Sequence, residues 1–444
     1  FMKKTGNVIA RLTAAVIAVL LAAACAIPAL ADDVVDPNSP PTAEGCTSVY
    51  LYNFENDRVL YERDTEAAVY PASTVKLMTG ILAAETLGGD LDQKITVTDE
   101  MLALRAGNNI GLVAGEIVTA RDMMYACLEG GANDAALVLA CAVAGSVSEF
   151  VSMMNTKAAL LGAFDTHYTN PTGLHDDAMV TTCKDTAIIA KYAASIPLIA
   201  EVTSSPKYVM EATNVKDFRN IYNRNCLISK FYDTYETAYR YEYATGMNAG
   251  GTTRAGACVV ATAKNADGDL TYLCVLMGCT SDERANAGYA GAIALFDWAF
   301  AAWKYADVLS TDDIICEIPV TLSSAIDFVT LAPANDVRVY LPCTVKKGEN
   351  LEYSYTTLYE SLAAPVVKGS VAGAVTVIYD GEVIGSSDLV ATVDIDRSEL
   401  LYTLSQIEKF TKSRFFIATI VSAVILTVIY VLIKARVTAK TKRY

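Results

Sequence analysis

The chain has 444 residues, long enough for two or three domains with full hydrophobic cores. Fifty acidic residues against 35 basic ones give a formal charge of −15, which argues against nucleic acid as a partner. Beyond Cys25, ten cysteines are scattered from Cys46 to Cys343 without a CxxC pair or paired histidines, so the pattern supports no zinc site and predicts no metal, while disulfide pairing stays open.

At the N-terminus Lys3, Lys4 and Arg11 lead into the apolar run "AAVIAVLLAAACAIP", and "ALA" at 29–31 meets Asp32 and Asp33. This is the layout of a cleaved signal peptide over residues 1–31. Next, "TSVYLYNFENDRVLYERD" reads as two short strands around an "ENDR" turn, followed by a helix from Ser73. Helical periodicity recurs in "ARDMMYACLEGGANDAALVLACAVA", "VSEFVSMMNTKAALLGA" and "CKDTAIIAKYAASI". After "NAGGTTRAG" come two strand-like runs separated by "NADGD", then a last apolar helix, "GYAGAIALFDWAFAAWK". Strands at both ends with helices between predict, for residues 32–304, an α+β domain in which the first and last segments share one antiparallel sheet.

From Tyr305 to Asp396 the texture becomes short and alternating, predicting a small all-β domain with a type I′ hairpin at Asp380-Gly381. Residues 397–414 read as a helical linker. Residues 415–433, "FFIATIVSAVILTVIYVLI", are uncharged and long enough for a transmembrane helix. Lys434, Arg436, Lys440, Lys442 and Arg443 follow, so residues 434–444 should form a cytoplasmic basic tail, leaving residues 32 to about 414 outside the cell membrane.

Chemistry is suggested first by "YPASTVKLMTG". Ser73 and Lys76, three apart on a helix, share one face. A partly desolvated lysine loses proton affinity and can take the serine proton, creating a nucleophile without histidine. At a helix start, free N–H groups and the dipole favour an oxyanion beside the serine. Ser204-Ser205-Pro206-Lys207 has the same spacing, but its proline forbids the helix.

The stretches "PASTVKLMTG", "LDQKITVTDEM", "NNIGLVAGEIVTARDMMYACLEGGANDAALVLA", "NPTGLHDD" and "YEYATGMNAGGTTRAGACVVATA" occur in that order between residues 45 and 305. Together they resemble the low-molecular-mass penicillin-binding proteins, the serine-type D-alanyl-D-alanine carboxypeptidases, whose Ser-x-x-Lys, Ser-x-Asn and Lys-Thr-Gly motifs line one cleft. The resemblance implies a β-lactamase/transpeptidase-like antiparallel sheet sandwiched by helices, followed by the small β domain and the membrane anchor. It implies Ser73 as nucleophile, Lys76 as its base and Asn133 as the residue orienting the substrate amide and Lys76.

Two motifs are altered. The serine of the second is replaced by Gly131, and the third falls, without a gap, on Asn248-Ala249-Gly250 rather than Ala244-Thr245-Gly246. Asn248 and the backbone at Gly250 and Gly251 are then the substrate-binding elements, with the N–H groups of Ser73 and Gly251 as oxyanion hole. The family's lysine and threonine, which hold the substrate's terminal carboxylate, are absent. Arg254 reads as a solvated surface residue, and His167 and His175 as structural parts of the "NPTGLHDD" region.

The resemblance therefore implies a carboxypeptidase acting on peptidoglycan pentapeptide stems through a Ser73 acyl-enzyme, with impaired or altered activity, no cofactor, β-lactam antibiotics as covalent inhibitors, and a single-pass place in the bacterial cell membrane with the catalytic domain extracellular. The alternative is a catalytically inactive wall-binding or scaffold homologue. A serine β-lactamase is a weaker third reading, since neither Ser-Asp-Asn nor a clear deacylating glutamate is present.

Overall fold

The structure is a computed structural model that describes residues 35–441 apart from 233, 235–237, 283 and 284. The expected signal segment and residues 442–444 of the basic tail lie outside the described residues. Two compact units divide at Lys304/Tyr305, with Pro342–Thr344 belonging to the first.

The first unit is built on a five-stranded antiparallel sheet. Its strands are β1 (Ser48–Asn53), β2 (Arg58–Arg63), β3 (Ala244–Thr252), β4 (Gly256–Lys264) and β5 (Thr271–Cys279), in the spatial order β2-β1-β5-β4-β3. Tyr50 pairs with Val275 and Leu51 with Cys274, so the first and last strands are neighbours. β4 and β5 are buried almost throughout because helices cover both faces. Leu273, Val275 and Met277 face one helical cluster, while Leu276 packs toward Gly291 on the other side. β3 lies at the edge, and this places one of its sides along an open cavity.

The helices of this unit longer than one turn are α1 (Val75–Leu87), α2 (Ala120–Leu128), α3 (Asn133–Ala144), α4 (Val147–Leu161), α5 (Cys183–Ala194), α6 (Pro197–Ser204) and α7 (Ala287–Ala302). α1 is apolar on nearly every side and therefore sits in the middle, with Val75 through Ala83 all buried. The periodic stretch 120–144 is two helices rather than one. Gly131 stands at φ +62° between them, a conformation that a helix interior cannot accept.

Cys46 and Cys279 form a disulfide that joins the entry to β1 to the end of β5, 233 residues apart in sequence. Closing so long a loop restricts the unfolded chain strongly, so Cys46→Ser with Cys279→Ser should lower stability by about 2–4 kcal/mol. Chemical denaturation of the double variant measures this; an unchanged midpoint would contradict it.

In the second unit, strands Glu352–Thr357, Val371–Tyr379, Glu382–Ala391, Phe328–Pro333, Cys316–Thr321 and Leu362–Ala363 form one sheet in that order. Asp380 (φ +51°) and Gly381 (φ +80°) make the two-residue turn expected between the second and third of these. Val308, Leu331, Val375, Val377 and Leu389 anchor the core. The chain continues into helices Glu399–Thr411 and Arg414–Thr441. Arg414–Arg436 is long and apolar enough to cross a membrane, with a mean hydropathy of 2.8. Its 23 residues span roughly 35 Å, matching a hydrocarbon core of about 30 Å.

Candidate active site

Ser73 lies in a single 3-10 turn, Ala72–Thr74, that runs directly into α1. Ala72 takes φ +49°, and the Thr74 hydroxyl locks the turn by donating to Pro71 O at 2.7 Å. One helical turn on, Lys76 Nζ donates to Ser73 Oγ at 3.3 Å and to Thr172 O at 2.5 Å. Lys76 is fully buried. Burial lowers its pKa to about 8; Cys127 beside it pulls the other way, and the positive charge of Arg224 adds to the lowering. The Ser73–Lys76 pair is thus a hydroxyl and a weakly basic amine in hydrogen-bonding contact.

The "NPTG" loop holds this lysine. Asn170 Oδ1 accepts from the N–H groups of Thr172 and Gly173 and from the Thr172 hydroxyl, which fixes the Thr172 carbonyl toward Lys76. Thr79 Oγ1 donates to Pro171 O at 2.7 Å, tying α1 to the same loop. Sequence reasoning missed the part of Thr172, because a backbone carbonyl leaves no mark in residue types.

Asn133 opens α3 and is 5% exposed. Its Nδ2 donates to Ala106 O at 2.6 Å and its backbone N–H to Asn108 O, while the hydrogen bonds of Lys76 go to Ser73 and Thr172. The carboxylate of Asp134 accepts from the N–H groups of Ile110, Gly111 and Leu112, and this pins the facing loop.

On the opposite wall, a Cβ added to Gly250 would stand 2.5 Å from Ser73 Cβ and 3.0 Å from Ser73 Oγ. Only glycine lets β3 run that close to the serine. Ala249, Gly250, Gly251 and Thr252 line a cavity of about 680 Å³ together with Arg224 and Tyr232. Asn248 is not in that lining. Neither are Ser73, Lys76 and Asn133. Asn248 is 3% exposed, its Nδ2 faces Leu128 O at 3.4 Å, and by strand alternation it shares the face of β3 on which Gly250 abuts Ser73.

The cation of the cavity is one that sequence reasoning passed over. Arg254 is exposed and lies outside the lining, whereas Arg224 is within it. The Arg224 backbone N–H donates to Glu129 O, its Nη1 to Asn108 Oδ1 at 3.3 Å, and its guanidinium lies 4.5 Å from the Tyr232 ring centroid. A Cβ on Gly131 would stand 3.0 Å from Arg224 Cδ. The arginine stem therefore occupies the space that a side chain at position 131 would need. A signal existed in "YNRNCL", an arginine between two buried asparagines, but nothing local marked it as facing the cleft.

Both histidines stand apart from the Ser73–Lys76 pair. His167 bridges the backbone of Val180, and His175 pairs with Asp177 at 3.0 Å and meets Tyr70 edge-on at 4.8 Å. Among the described residues, no group of three or more His, Cys, Asp or Glu is placed to hold a metal ion.

The model of the D-alanyl-D-alanine carboxypeptidase family matches residues 37–280, and that of the penicillin-binding protein 5 C-terminal domain matches residues 303–397. The chain belongs to the D-alanyl-D-alanine carboxypeptidase family. Among this family's members it is 28% identical to the carboxypeptidase DacF of Bacillus subtilis over 82% of this chain and 89% of that one. To DacC of Escherichia coli it is 27% identical, over 78% and 83%. Among solved structures, a D-alanyl-D-alanine carboxypeptidase of Mycobacterium tuberculosis matches with TM-score 0.52 and 29% identity, over 61% of this chain and 96% of that one. Penicillin-binding protein 5 of Haemophilus influenzae shares the fold, with TM-score 0.55 and 24% identity over 81% and 99%. The family's sheet-and-helix domain and its β domain are thus both present, in family order.

Proposed function

We propose that the protein is a serine-type carboxypeptidase that removes the terminal D-alanine from peptidoglycan stem peptides through an acyl-enzyme on Ser73, with the β-lactam antibiotics as covalent inhibitors. The observation that carries this reading is the contact of a serine hydroxyl with a fully buried lysine whose pKa is brought down to about 8. Neutral Lys76 takes the Ser73 proton as Oγ attacks the penultimate D-Ala carbonyl. The N–H groups of Ser73 and Gly251 stabilise the oxyanion. Lys76 then returns the proton to the departing D-alanine amine, a direct transfer, because Gly131 has no hydroxyl to relay it. Water hydrolyses the ester with Lys76 again as base. Incubation of the purified chain with excess penicillin should raise its intact mass by that of the drug, on the peptide containing Ser73; an unchanged mass overturns the proposal.

In this reading Arg224 replaces the missing lysine of the third motif as anchor for the substrate's terminal carboxylate. A charge-assisted hydrogen bond contributes about 1.5–3 kcal/mol. Arg224→Ala should therefore lower kcat/KM roughly ten- to a hundredfold on a peptide ending in D-Ala-D-Ala and leave the same peptide with an amidated terminus within about twofold. Equal losses on both peptides would remove Arg224 from this role.

One observation favours a second reading, a wall-binding homologue without turnover: the Asn248 amide lies against Leu128 O and Ala249 has no donor, so neither of these two positions offers a carboxylate a charged side chain. Absence of the penicillin adduct combined with retained peptidoglycan binding would select it.

A further inference from the structure

A second groove, near the cavity beside Gly250, is built from different chemistry. Lys207, Tyr222, Ser229, Lys230, Phe231 and Arg240 line a space of about 370 Å³. They come from a small hairpin, Lys207–Met210 paired with Arg219–Tyr222, and from the loop that follows it. The Tyr222 and Phe231 rings stack at 3.6 Å, and Phe231 remains 55% exposed. Lys207 Nζ stands 5.4 Å from the Tyr222 centroid, and Arg240 donates to Ile228 O at 2.6 Å.

None of the three cations has an ion-pair partner among the described residues, although the chain as a whole carries −15. In so acidic a protein, three cations lining one groove without an ion-pair partner among the described residues concentrate positive charge there, which favours anions. Phe231 meets Tyr232 edge-on at 5.0 Å, and Tyr232 lines the cavity beside Gly250, so the two spaces are separated by these neighbouring rings. A ligand of the groove must present negative charges and a flat apolar face together.

We propose that this groove binds a negatively charged glycan, a sugar chain bearing phosphate or carboxylate groups. The apolar C–H face of a sugar ring lies on Phe231, and Lys207, Lys230 and Arg240 meet the anionic substituents. Lysines suit this task, since an ammonium on a flexible stem follows charges that vary in position along a polymer.

Calorimetric titration of the full chain in detergent tests this with three probes: an alginate octamer (carboxylate), a phosphorylated mannan oligosaccharide (phosphate) and uncharged chitotetraose. At least one anionic probe should bind, with affinity falling as salt rises, and chitotetraose should bind at least tenfold more weakly; which anionic probe binds tells phosphate from carboxylate. Lys207→Glu with Lys230→Glu, both exposed sites, should lose at least tenfold in affinity while penicillin acylation is unchanged. Lys94→Glu, an exposed lysine elsewhere, should change neither. The proposal is overturned if neither anionic probe binds, if chitotetraose binds equally well, or if Lys94→Glu costs as much as the groove variant.

Discussion

Lys76→Met is expected to slow acylation by a penicillin about a thousandfold while leaving the folded protein as stable at neutral pH, or slightly more so. The rate loss follows, on the proposed mechanism, from removing the basic group that among the described residues contacts the Ser73 hydroxyl, and general bases contribute on the order of 10²–10⁴. The stability result follows from two opposing quantities. Holding an ammonium in the fully buried Lys76 site, where the pKa falls to about 8, costs on the order of 3 kcal/mol. Met fills the same volume without that cost, but it orphans the Thr172 carbonyl, at about 1–3 kcal/mol. The two nearly cancel. Stopped-flow acylation together with thermal melts checks both halves; a variant that acylates at the wild-type rate would remove Lys76 from the reaction.

The same lysine sets two pH dependences in the wild type. Its folded pKa lies below its ordinary value of 10.5, so between about 8 and 10.5 the unfolded chain binds more protons than the folded one, and stability rises with pH across that window. Acylation should rise through about pH 8, as neutral Lys76 becomes available as base. Lys76→Met should flatten both profiles.

Gly250→Ala is expected to reduce acylation at least about a hundredfold with little loss of stability. The new Cβ would fall 2.5 Å from Ser73 Cβ. Ser73 cannot yield, because its turn is locked by Thr74 on Pro71 and continues into the buried α1. The edge strand must move instead, and it can near Gly250, since among the described residues no strand is paired on its outer side. A displacement of about 1 Å in the wall proposed to carry the oxyanion donor costs on the order of 10² in rate. Acylation at the wild-type rate in Gly250→Ala would mean that β3 does not form the reactive wall.

Much of this architecture is legible along the chain because it rests on local patterns. Alternation in "SVYLYN" and the apolar runs of β4 and β5 mark strands, Asp380-Gly381 marks its own turn, and the uninterrupted apolar span after Arg414 marks a helix of membrane length. The three-residue spacing of Ser73 and Lys76 is likewise a helical fact, readable without coordinates. Less legible was the break at Gly131, since the periodicity of 120–144 continues across it and only the positive φ reveals the interruption.

Residue types and spacings alone determined that this protein carries a serine-lysine pair one helical turn apart, a glycine-rich strand without a lysine, and an apolar terminal helix, because each depends on neighbours within one turn or one strand. Tertiary structure decided the rest: that Asn248 is buried against Leu128, that Cys46 meets Cys279, that the Thr172 carbonyl holds Lys76, and that Arg224 rather than Arg254 lines the cavity beside Gly250. These depend on segments distant in sequence arriving at one place, and side-chain type carries no record of which distant backbone will arrive there. The proton affinity of Lys76 belongs with them, since burial by the surrounding helices and loop, not the lysine itself, lowers it.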